Sequence, residues 1–457
     1  MDLDMSRRAV CCEARRPNRS RRVVTRGHIH LFSSPLLGSM VRERMEIDKM
    51  CRRKNAVTKL AVVSGIVFVL SECALAGMID SVTNVPNGPE SVRSIPFELT
   101  GHRMCVTVKI NENPKEYRFI LDTGALTMID ESVAEVLHLE KGADMPLLEP
   151  SRTTWFARVH TIRLGQTEVT DMRVPVLDIR SVFGESFEWG GFIGSDFLKF
   201  FTVTIDYGAR SLLFSDDSNS PDSTREGYRI HFEKHFMVGA PLVECTLNGD
   251  IETRAMIDTG SPFGFVLPLS FVERVDSSVR IRSKGVVAKW PFTSSECNYL
   301  SRIEELTVGT LHIRNLPVLF AELPANLSHP LLGWDFLSRF VLTLDYPSNE
   351  LLLQPREGAH FTDNLFSTGL ALTQVDDGRT VVRGFWEGSP ADRSDIKLGD
   401  EILEINSRRA QDVSLREMKD ILHDDAIREI ELEMRSDSGK RRIVLKKEML
   451  LPEIDSK

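Results

Sequence analysis

Two short stretches of the sequence place an aspartate, a threonine and a glycine directly after a run of apolar residues. They read FILDTGALTM at 119–128 and AMIDTGSPFG at 255–264, with Asp122 and Asp258 at equivalent positions. Two carboxyl groups that lie close together cannot both ionise easily, so the pair holds one proton over a broad pH range. The ionised group can take a proton from water while the protonated group donates to a carbonyl oxygen, which is hydrolysis without a metal or a covalent nucleophile.

The residue types around each aspartate fit that chemistry. The apolar run before it predicts a buried strand with the carboxyl group at its end. Gly124 and Gly260 allow a tight turn whose backbone N–H can approach the carboxylate. Thr123 and Thr259 can hydrogen-bond across to the opposite loop and hold the two loops in register.

The two loops differ at the residue after the glycine, which is Ala125 in the first loop and Ser261 in the second. The Ser261 hydroxyl could hydrogen-bond the outer oxygen of Asp258 and favour its charged form. The sequence therefore predicts that Asp258 is the more acidic member of the pair and that Asp122 usually carries the proton.

The aspartate loops belong to a longer internal repeat. The stretch GGFIGSDFLKFFTVTIDYGARSLLF at 190–214 corresponds to HPLLGWDFLSRFVLTLDYPSNELLL at 329–353, and a strand–turn–strand passage at 160–177 corresponds to one at 301–319. The order and the spacing of these segments agree, which indicates a duplication. Short alternating apolar runs bounded by Gly, Asn, Asp and Pro predict that each copy is mostly β.

Other residues in the repeat have structural explanations. Asp130, Asp196 and Asp335 each open a short helical stretch and are predicted to be helix N-caps. Trp155 and Trp290 follow their aspartates at similar distances. Either a hairpin that covers a substrate or packing in a β-barrel core would account for them.

Because these motifs agree in order, residues 96–355 resemble the two lobes of retropepsin-like and pepsin-type aspartic proteases. Asp-Thr-Gly-Ala at 122–125 and Asp-Thr-Gly-Ser at 258–261 are similar to the catalytic loops of that family. Phe192-Ile193-Gly194 and Leu331-Leu332-Gly333 are similar to its second apolar-apolar-Gly element, which passes beside the catalytic loop.

The resemblance implies a mainly β fold of two tandem acid-protease β-barrel lobes related by a pseudo-two-fold axis. It implies that Asp122 and Asp258 form a catalytic dyad that shares a proton. The supporting residues that it implies are Thr123, Gly124, Thr259, Gly260 and Ser261, and the two threonines would make the hydrogen bonds between the lobes.

The pattern of the sequence changes after residue 364, where the internal repeat has ended. The stretches Gly369-Leu370-Ala371-Leu372, Gly388-Ser389-Pro390-Ala391 and LGDEILEIN at 398–406 resemble an α/β PDZ domain of the bacterial protease-associated kind. The resemblance implies that backbone N–H groups of Gly369, Leu370, Ala371 and Leu372 hold the carboxylate of a peptide, beside a helix at 414–424. Strand addition to an exposed sheet edge would bind the rest of the peptide. The alternative is a unit of this fold that only packs against the protease.

The N-terminal region has the pattern of a targeting segment. Basic residues at 51–59 precede the apolar run LAVVSGIVFVL, and Ala74-Leu75-Ala76 follows with the small residues of a cleavage site. The run is short for a membrane span and fits a signal peptide, with cleavage after Ala76. The alternative is an uncleaved anchor at residues 60–76, in which case alone the protein would contact a membrane.

The composition of the chain limits the kinds of partner and cofactor that can be expected. Hydrophobic residues make up 42% of the chain and charged residues 27%, as in soluble globular proteins. The net charge is −9. Residues 1–76 carry more Lys and Arg than Asp and Glu, whereas the rest of the chain is acidic and would repel nucleic acid. Cys105, Cys245 and Cys297, the thiols beyond Ala76, can form at most one disulfide and have no metal-site spacing, so neither a metal nor another cofactor is expected.

The sequence therefore divides into seven segments. They are an extension (1–49), a signal peptide or anchor (50–76), a linker (77–95), protease lobe 1 (96–216), a second linker (217–226), protease lobe 2 (227–355) and a PDZ domain (364–450).

The leading hypothesis is an exported aspartic endopeptidase, periplasmic or secreted, whose partners are peptide or protein substrates and a PDZ ligand peptide. The alternative is a catalytically inactive peptide-binding or scaffold protein with the same fold. A single-lobe enzyme that needs a homodimer is disfavoured, because both aspartates are present in one chain. A monomer with both half-sites in cis is expected.

Overall fold

The computed structural model describes most of the chain from Arg93 to Pro452. The described ranges are 93–100, 102–146, 153–183, 189–215, 226–275, 280–290, 293–324, 328–358, 365–375 and 377–452. The predicted extension and signal peptide, and nearly all of both predicted linkers, lie outside them. Within these ranges no helix is both long and apolar enough to cross a membrane.

Lobe 1 is built around a sheet of eight strands in the order β2-β3-β4-β9-β5-β8-β7-β6, and a further pairing of β3 with β7 curls it into a barrel. The strands are β2 (Glu98–Thr100), β3 (Arg103–Ile110), β4 (Glu116–Leu121), β5 (Met128–Asp130), β6 (Lys141–Pro146), β7 (Thr153–Leu164), β8 (Thr167–Leu177) and β9 (Gly191–Ile193). Its helices are α1 (Glu131–Val136), α2 (Ile179–Phe183) and α3 (Ser195–Leu198).

Lobe 2 repeats this arrangement. Its strands are β13 (Pro241–Leu247), β14 (Ile251–Ile257), β15 (Phe265–Pro268), β16 (Arg280–Gly285), β17 (Tyr299–Val308), β18 (Leu311–Ala321) and β19 (Leu331–Leu332), followed by helix α4 (Trp334–Leu337). The predicted duplication is thus visible in the pairings. Strand β4 runs parallel to β9 in lobe 1, and β14 runs parallel to β19 in lobe 2.

Six strands join the lobes in one antiparallel sheet, in the order β1-β11-β10-β20-β21-β12. They are β1 (Arg93–Pro96), β10 (Thr202–Asp206), β11 (Ser211–Ser215), β12 (Tyr228–Lys234), β20 (Phe340–Asp345) and β21 (Glu350–Pro355). At the centre Thr204 is paired with Thr343, and their hydroxyl oxygens lie 2.8 Å apart. The pseudo-two-fold axis passes through this pair. Strand β1 begins inside the predicted linker 77–95, because its backbone completes the edge of this sheet beside β11.

The C-terminal unit has a core of its own, built by residues such as Leu372, Ile405, Met418 and Leu432. Its elements are β22 (Phe366–Ser367), β23 (Leu370–Gln374), β24 (Thr380–Trp386), β25 (Glu401–Ile405), β26 (Arg408–Arg409), α5 (Leu415–His423), β27 (Glu429–Ser436), β28 (Gly439–Lys446) and β29 (Glu448–Met449). Helix α5 matches the predicted helix, and Ser414 caps it in a capping box with Glu417.

The C-terminal unit is fixed to lobe 2 by backbone pairing. Strand β16 of lobe 2 lies antiparallel to β24, with Lys284 opposite Phe385. The guanidinium of Arg383 donates to the carbonyl oxygens of Val286 and Val287 at 2.8 and 2.5 Å. Arg302, a buried residue of lobe 2, donates to the carbonyl oxygen of Pro452 at 2.8 Å. The C-terminal unit is therefore anchored to lobe 2 at β24 and at its C-terminal end.

Candidate active site

Each aspartate follows directly after a buried strand, as the sequence predicts. The N–H of Asp122 donates to the carbonyl oxygen of Ile193 at 2.9 Å, and the N–H of Asp258 donates to that of Leu332 at 2.9 Å. These bonds continue the parallel pairings beyond the ends of β4 and β14. The catalytic loops are thereby tied to the apolar-apolar-Gly elements that pass beside them.

Glycine is required where those elements cross the loops. An added Cβ at Gly194 would lie 2.3 Å from the carbonyl oxygen of Ala125, and one at Gly333 would lie 2.2 Å from that of Phe263. Both distances are far below van der Waals contact, and the neighbours are backbone atoms that cannot rotate away. Only glycine lets the two chain segments approach this closely.

The two threonines lock the loops to each other. The N–H of Thr123 donates to Oγ1 of Thr259 at 3.1 Å, and the N–H of Thr259 donates to Oγ1 of Thr123 at 3.1 Å. Each hydroxyl then donates onward to a carbonyl oxygen of the opposite strand, at Ile257 (2.6 Å) and Leu121 (3.2 Å). Both threonines are completely buried. Because every donor is satisfied inside the protein, the network fixes one spacing between the loops.

The two carboxyl groups meet between the loops. Each inner oxygen accepts a hydrogen bond within its own loop, with Gly124 N donating to Asp122 Oδ1 at 2.8 Å and Gly260 N to Asp258 Oδ1 at 2.9 Å. Each carboxyl group also lies against the glycine of the other loop. A Cβ at Gly124 would be 2.7 Å from Asp258 Cγ. The two carboxyl groups lie close enough to interact directly, so ionisation of one disfavours ionisation of the other.

Burial and the proximity of the two acids change the pKa of each. Burial raises the pKa of Asp122, while the hydrogen bond from Gly124, the contact with Asp258 and the charge of Arg103 each oppose the rise. Burial raises the pKa of Asp258 well above its usual range, and the negative charge of Asp122 raises it further. The pair therefore holds one proton over a broad pH range, because ionisation of one acid raises the pKa of the other.

Comparison with known proteins supports the same interpretation. A family model described as aspartyl protease matches residues 106–197, and a model of gag-polyprotein aspartyl proteases matches residues 243–339. Two separate stretches of the chain, one in each lobe, are therefore similar to aspartyl protease domains. Each match contains one Asp-Thr-Gly loop and its apolar-apolar-Gly element. No curated protein matches the chain.

The hydrogen bond predicted from sequence for Ser261, on which the predicted order of protonation rested, is not formed. The Ser261 hydroxyl is buried and has no hydrogen-bond partner, so it does not reach the outer oxygen of Asp258. The backbone N–H of Ser261 donates to Asp258 Oδ1 instead, at 3.1 Å. The charge of Arg103, the first residue of β3, favours the ionised form of Asp122, but burial, the Gly124 hydrogen bond and Asp258 affect its pKa more.

We therefore expect Ser261→Ala to leave the pH dependence of activity unchanged. Since the substitution removes an unsatisfied buried hydroxyl, the free energy of unfolding should stay the same or rise by up to about 1 kcal/mol. Thermal unfolding and a pH–rate profile check this. Thr259→Ala, which removes a satisfied hydroxyl, serves as the contrast and should destabilise the protein by about 1–3 kcal/mol. A Ser261→Ala profile shifted to higher pH would restore the hydroxyl to the role predicted from sequence.

Two tyrosines from the repeated Asp-Tyr pairs lie beneath the dyad, and the sequence analysis did not single them out. The hydroxyl of Tyr346 lies 3.1 Å from Ser195 Oγ, which donates to the carbonyl oxygen of Thr123 at 2.7 Å. Burial raises the pKa of Tyr346, and the charge of Asp122 adds to that rise. Burial likewise raises the pKa of Tyr207, and here the second contribution comes from Asp258. The sequence could have indicated these tyrosines, because an Asp-Tyr pair occurs at the same position in both copies of the repeat.

The remaining acidic residues of the repeat are structural. Asp130 caps α1 by accepting from Ser132 N at 3.1 Å, as predicted. Asp196 and Asp335 are not N-caps, because Gly194 and Gly333 occupy the cap positions at the crossings. Asp196 accepts instead from Thr127 N at 2.7 Å, and Asp335 pairs with Arg339 at 3.0 Å.

The two tryptophans have different surroundings. Trp155 is buried in the core of lobe 1, which matches the barrel-packing alternative. Trp290 lies on the wall of a cavity, with its ring centroid 5.9 Å from that of Phe263. A tryptophan at matching positions in the two copies therefore does not have matching roles.

A cavity of about 1070 Å³ lies next to the dyad. Its lining includes Pro262, Phe263 and Gly264, which directly follow the second catalytic loop, and Arg103, whose charge acts on Asp122. The two carboxyl groups are partly exposed but do not line this cavity themselves. Gly369, Leu370, Ala371 and Leu372 do line it, so it extends from the second catalytic loop to the C-terminal unit. Those four residues begin strand β23, in which Leu370 is paired with Phe385.

Proposed function

We propose that the chain is an aspartic endopeptidase in which a water held between Asp122 and Asp258 hydrolyses a peptide bond. The observation that carries the proposal is that the carboxyl groups of Asp122 and Asp258 meet between the two loops, each against the glycine of the other loop. Such a pair supplies a base and an acid at the same point in space. The aspartyl protease domains support this role for both loops.

In the proposed mechanism, the Asp122 carboxylate takes a proton from the water, and the oxygen of the water bonds to the carbonyl carbon of the substrate. The Asp258 carboxyl group donates its proton to the carbonyl oxygen. The resulting tetrahedral diol collapses when the peptide nitrogen receives the proton from Asp122 and the C–N bond breaks. The diol hydroxyl proton returns to Asp258, which restores the starting state. The N–H groups of Gly124 and Gly260 hold the carboxyl groups in place throughout.

We further propose that the C-terminal unit is a PDZ domain that binds an extended peptide between β23 and α5. Two features support this. The predicted helix is present, and both elements line the cavity beside the dyad. A peptide held there would be presented to the protease lobes rather than to bulk solvent. Export rests on the sequence of residues 50–76 alone.

Digestion of an unfolded protein tests the proposed activity. We expect pepstatin-sensitive cleavage of reduced and alkylated casein, measured by the release of soluble peptides. Asp122→Asn should abolish it, because asparagine cannot act as the base. An Asp122→Asn variant with intact activity would contradict the dyad. A folded wild-type protein that cleaves nothing, yet binds peptides, would favour the scaffold alternative.

A further inference from the structure

The cavity beside the dyad is bounded by two basic surfaces. On one side His102 and Arg103 form the β2–β3 turn of lobe 1. On the other side α5 of the C-terminal unit contributes Arg416, Lys419 and His423. Residues three and four positions apart lie on the same face of a helix, so these three side chains point in one direction.

The electrostatics show that the two surfaces face each other. The pKa of His102 is lowered to about 3 by burial and then by the charges of Arg103, Lys419 and His423. Burial lowers the pKa of Lys419, and the charges of Arg383 and Arg103 lower it further. Basic groups of lobe 1 and of the C-terminal unit therefore lie close enough across the cavity to disfavour one another's charged forms.

Few carboxylates oppose this charge. Among the described residues, no carboxylate oxygen lies within 4 Å of a charged nitrogen of Arg103, Lys419 or His423. Asp335 lines the cavity but is paired with Arg339 at 3.0 Å. Asp420 lies 3.9 Å from Arg416, and the charges of Asp420 and Asp425 act on His423 alone among the four basic residues His102, Arg103, Lys419 and His423. In addition, Nε2 of His102 is buried and has no hydrogen-bond partner.

We propose that His102, Arg103, Lys419 and His423 form a subsite for an acidic side chain of the substrate. The proposal rests on the proteolytic function proposed above and assigns it a substrate class: polypeptides with Asp or Glu a few residues from the cleaved bond. A carboxylate in this position would relieve the repulsion between the two surfaces and provide an acceptor for His102. Hydrogen bonds between charged groups are the stronger ones in proteins.

The position of Arg103 favours a side chain over a chain terminus. Its charge acts on Asp122, so the basic cluster begins beside the dyad. A substrate that crosses the dyad advances by about 3.4 Å for each extended residue. Its side chains therefore reach the cluster within a few residues, whereas the predicted site for a terminal carboxylate is the start of β23.

Peptide binding to the inactive Asp258→Asn protein tests the subsite independently of cleavage. Three short fluorescent peptides are compared by anisotropy: one with glutamates and an amidated C-terminus, one with glutamines and an amidated C-terminus, and one with glutamines and a free C-terminus. We expect the glutamate peptide to bind about tenfold more tightly than the amidated glutamine peptide. Lys419→Gln should remove most of that difference. The matched control Lys446→Gln changes an exposed lysine that pairs with Glu429, and should keep it.

The active protein supplies the second measurement, a map of the bonds cleaved in a peptide library. We expect Asp and Glu to be enriched near the cleaved bonds for the wild type and the Lys446→Gln variant, and not for Lys419→Gln. Cleavage with no acidic preference would overturn the subsite and leave the protease intact. Tighter binding of the free-terminus peptide alone would also overturn it, in favour of a terminal carboxylate. A preference for the glutamate peptide without any cleavage would support the subsite and contradict the proteolytic function.

Discussion

Replacing Asp258 by asparagine is expected to abolish proteolysis and, at neutral pH, to raise the thermal stability of the protein. The loss of activity follows because Asp258 carries the proton that is donated to the substrate carbonyl. General acid or base groups contribute on the order of 10²- to 10⁴-fold to a rate, so a loss of at least about 10³-fold is expected. Asparagine keeps an acceptor for the N–H groups of Gly260 and Ser261.

The gain in stability follows from the raised pKa of Asp258. In the folded protein this carboxyl group holds its proton to a higher pH than in the unfolded chain, where its pKa is about 3.9. Between those two values the folded state binds more protons, so the free energy of unfolding falls as the pH rises. Above the raised pKa the full penalty is present. Asparagine never ionises and escapes it.

The expected gain is therefore absent in acid and present at neutral pH, where a typical stabilising substitution contributes about 1–2 kcal/mol. Thermal unfolding at several pH values measures it. Asp250→Asn, at an exposed turn of lobe 2, is the matched control and should change neither activity nor stability. An Asp258→Asn protein that is less stable than wild type at neutral pH would show that the dyad is not strained in the folded state.

Gly260→Ala is expected to reduce the catalytic efficiency at least about 100-fold while the protein still folds. The new Cβ would lie 2.2 Å from Oδ2 of Asp122, a distance that real Cβ atoms do not adopt. The Asp122 carboxyl group must therefore move away from Asp258. A displacement of about 1 Å at reacting groups can cost roughly 10² in rate. Gly124→Ala should act in the same way on Asp258.

Gly208→Ala is the matched control, since the nearest atoms to its new Cβ belong to the guanidinium of Arg356, the mobile end of a long side chain. Activity against unfolded casein and circular dichroism are measured for all three variants. Wild-type activity in Gly260→Ala would mean that the carboxyl groups do not need the spacing that the structure shows. Loss of fold in Gly260→Ala but not in Gly208→Ala would assign the glycine to stability instead.

The sequence was informative where one residue type alone fits the backbone. The two Asp-Thr-Gly loops and the two apolar-apolar-Gly elements were predicted, because a strand end, a tight turn and a close crossing each restrict the residue. The same logic explains the mistake at Asp196 and Asp335. Aspartate is a good N-cap in general, but the crowding at Gly194 and Gly333 leaves room only for glycine at the cap.

The features that the sequence did not reveal depend on contacts between distant segments. Arg103 acts on the charge of Asp122 from the start of β3, in a stretch whose sequence carries no catalytic motif. The pairing of β24 with β16 uses backbone N–H and C=O groups, which every strand edge possesses, so no pattern of residue types predicts it. Ser261 was assigned a hydrogen bond because its residue type allowed one, whereas the direction of its side chain depends on the packing around it.

The central pair of Thr204 and Thr343 lies on the pseudo-two-fold axis that relates the two lobes, which are fused in one chain. In an assembly of two identical chains, this axis would make the two aspartates chemically equivalent. The shared proton would then bind either carboxyl group equally well. In a single chain the two aspartates need not be equivalent, because a residue in one lobe need not be present at the matching position of the other lobe. Arg103 acts on Asp122 alone, and Ser195 of lobe 1 has Trp334 as its counterpart in lobe 2. Broken symmetry thus allows the two aspartates to take different roles before any substrate arrives.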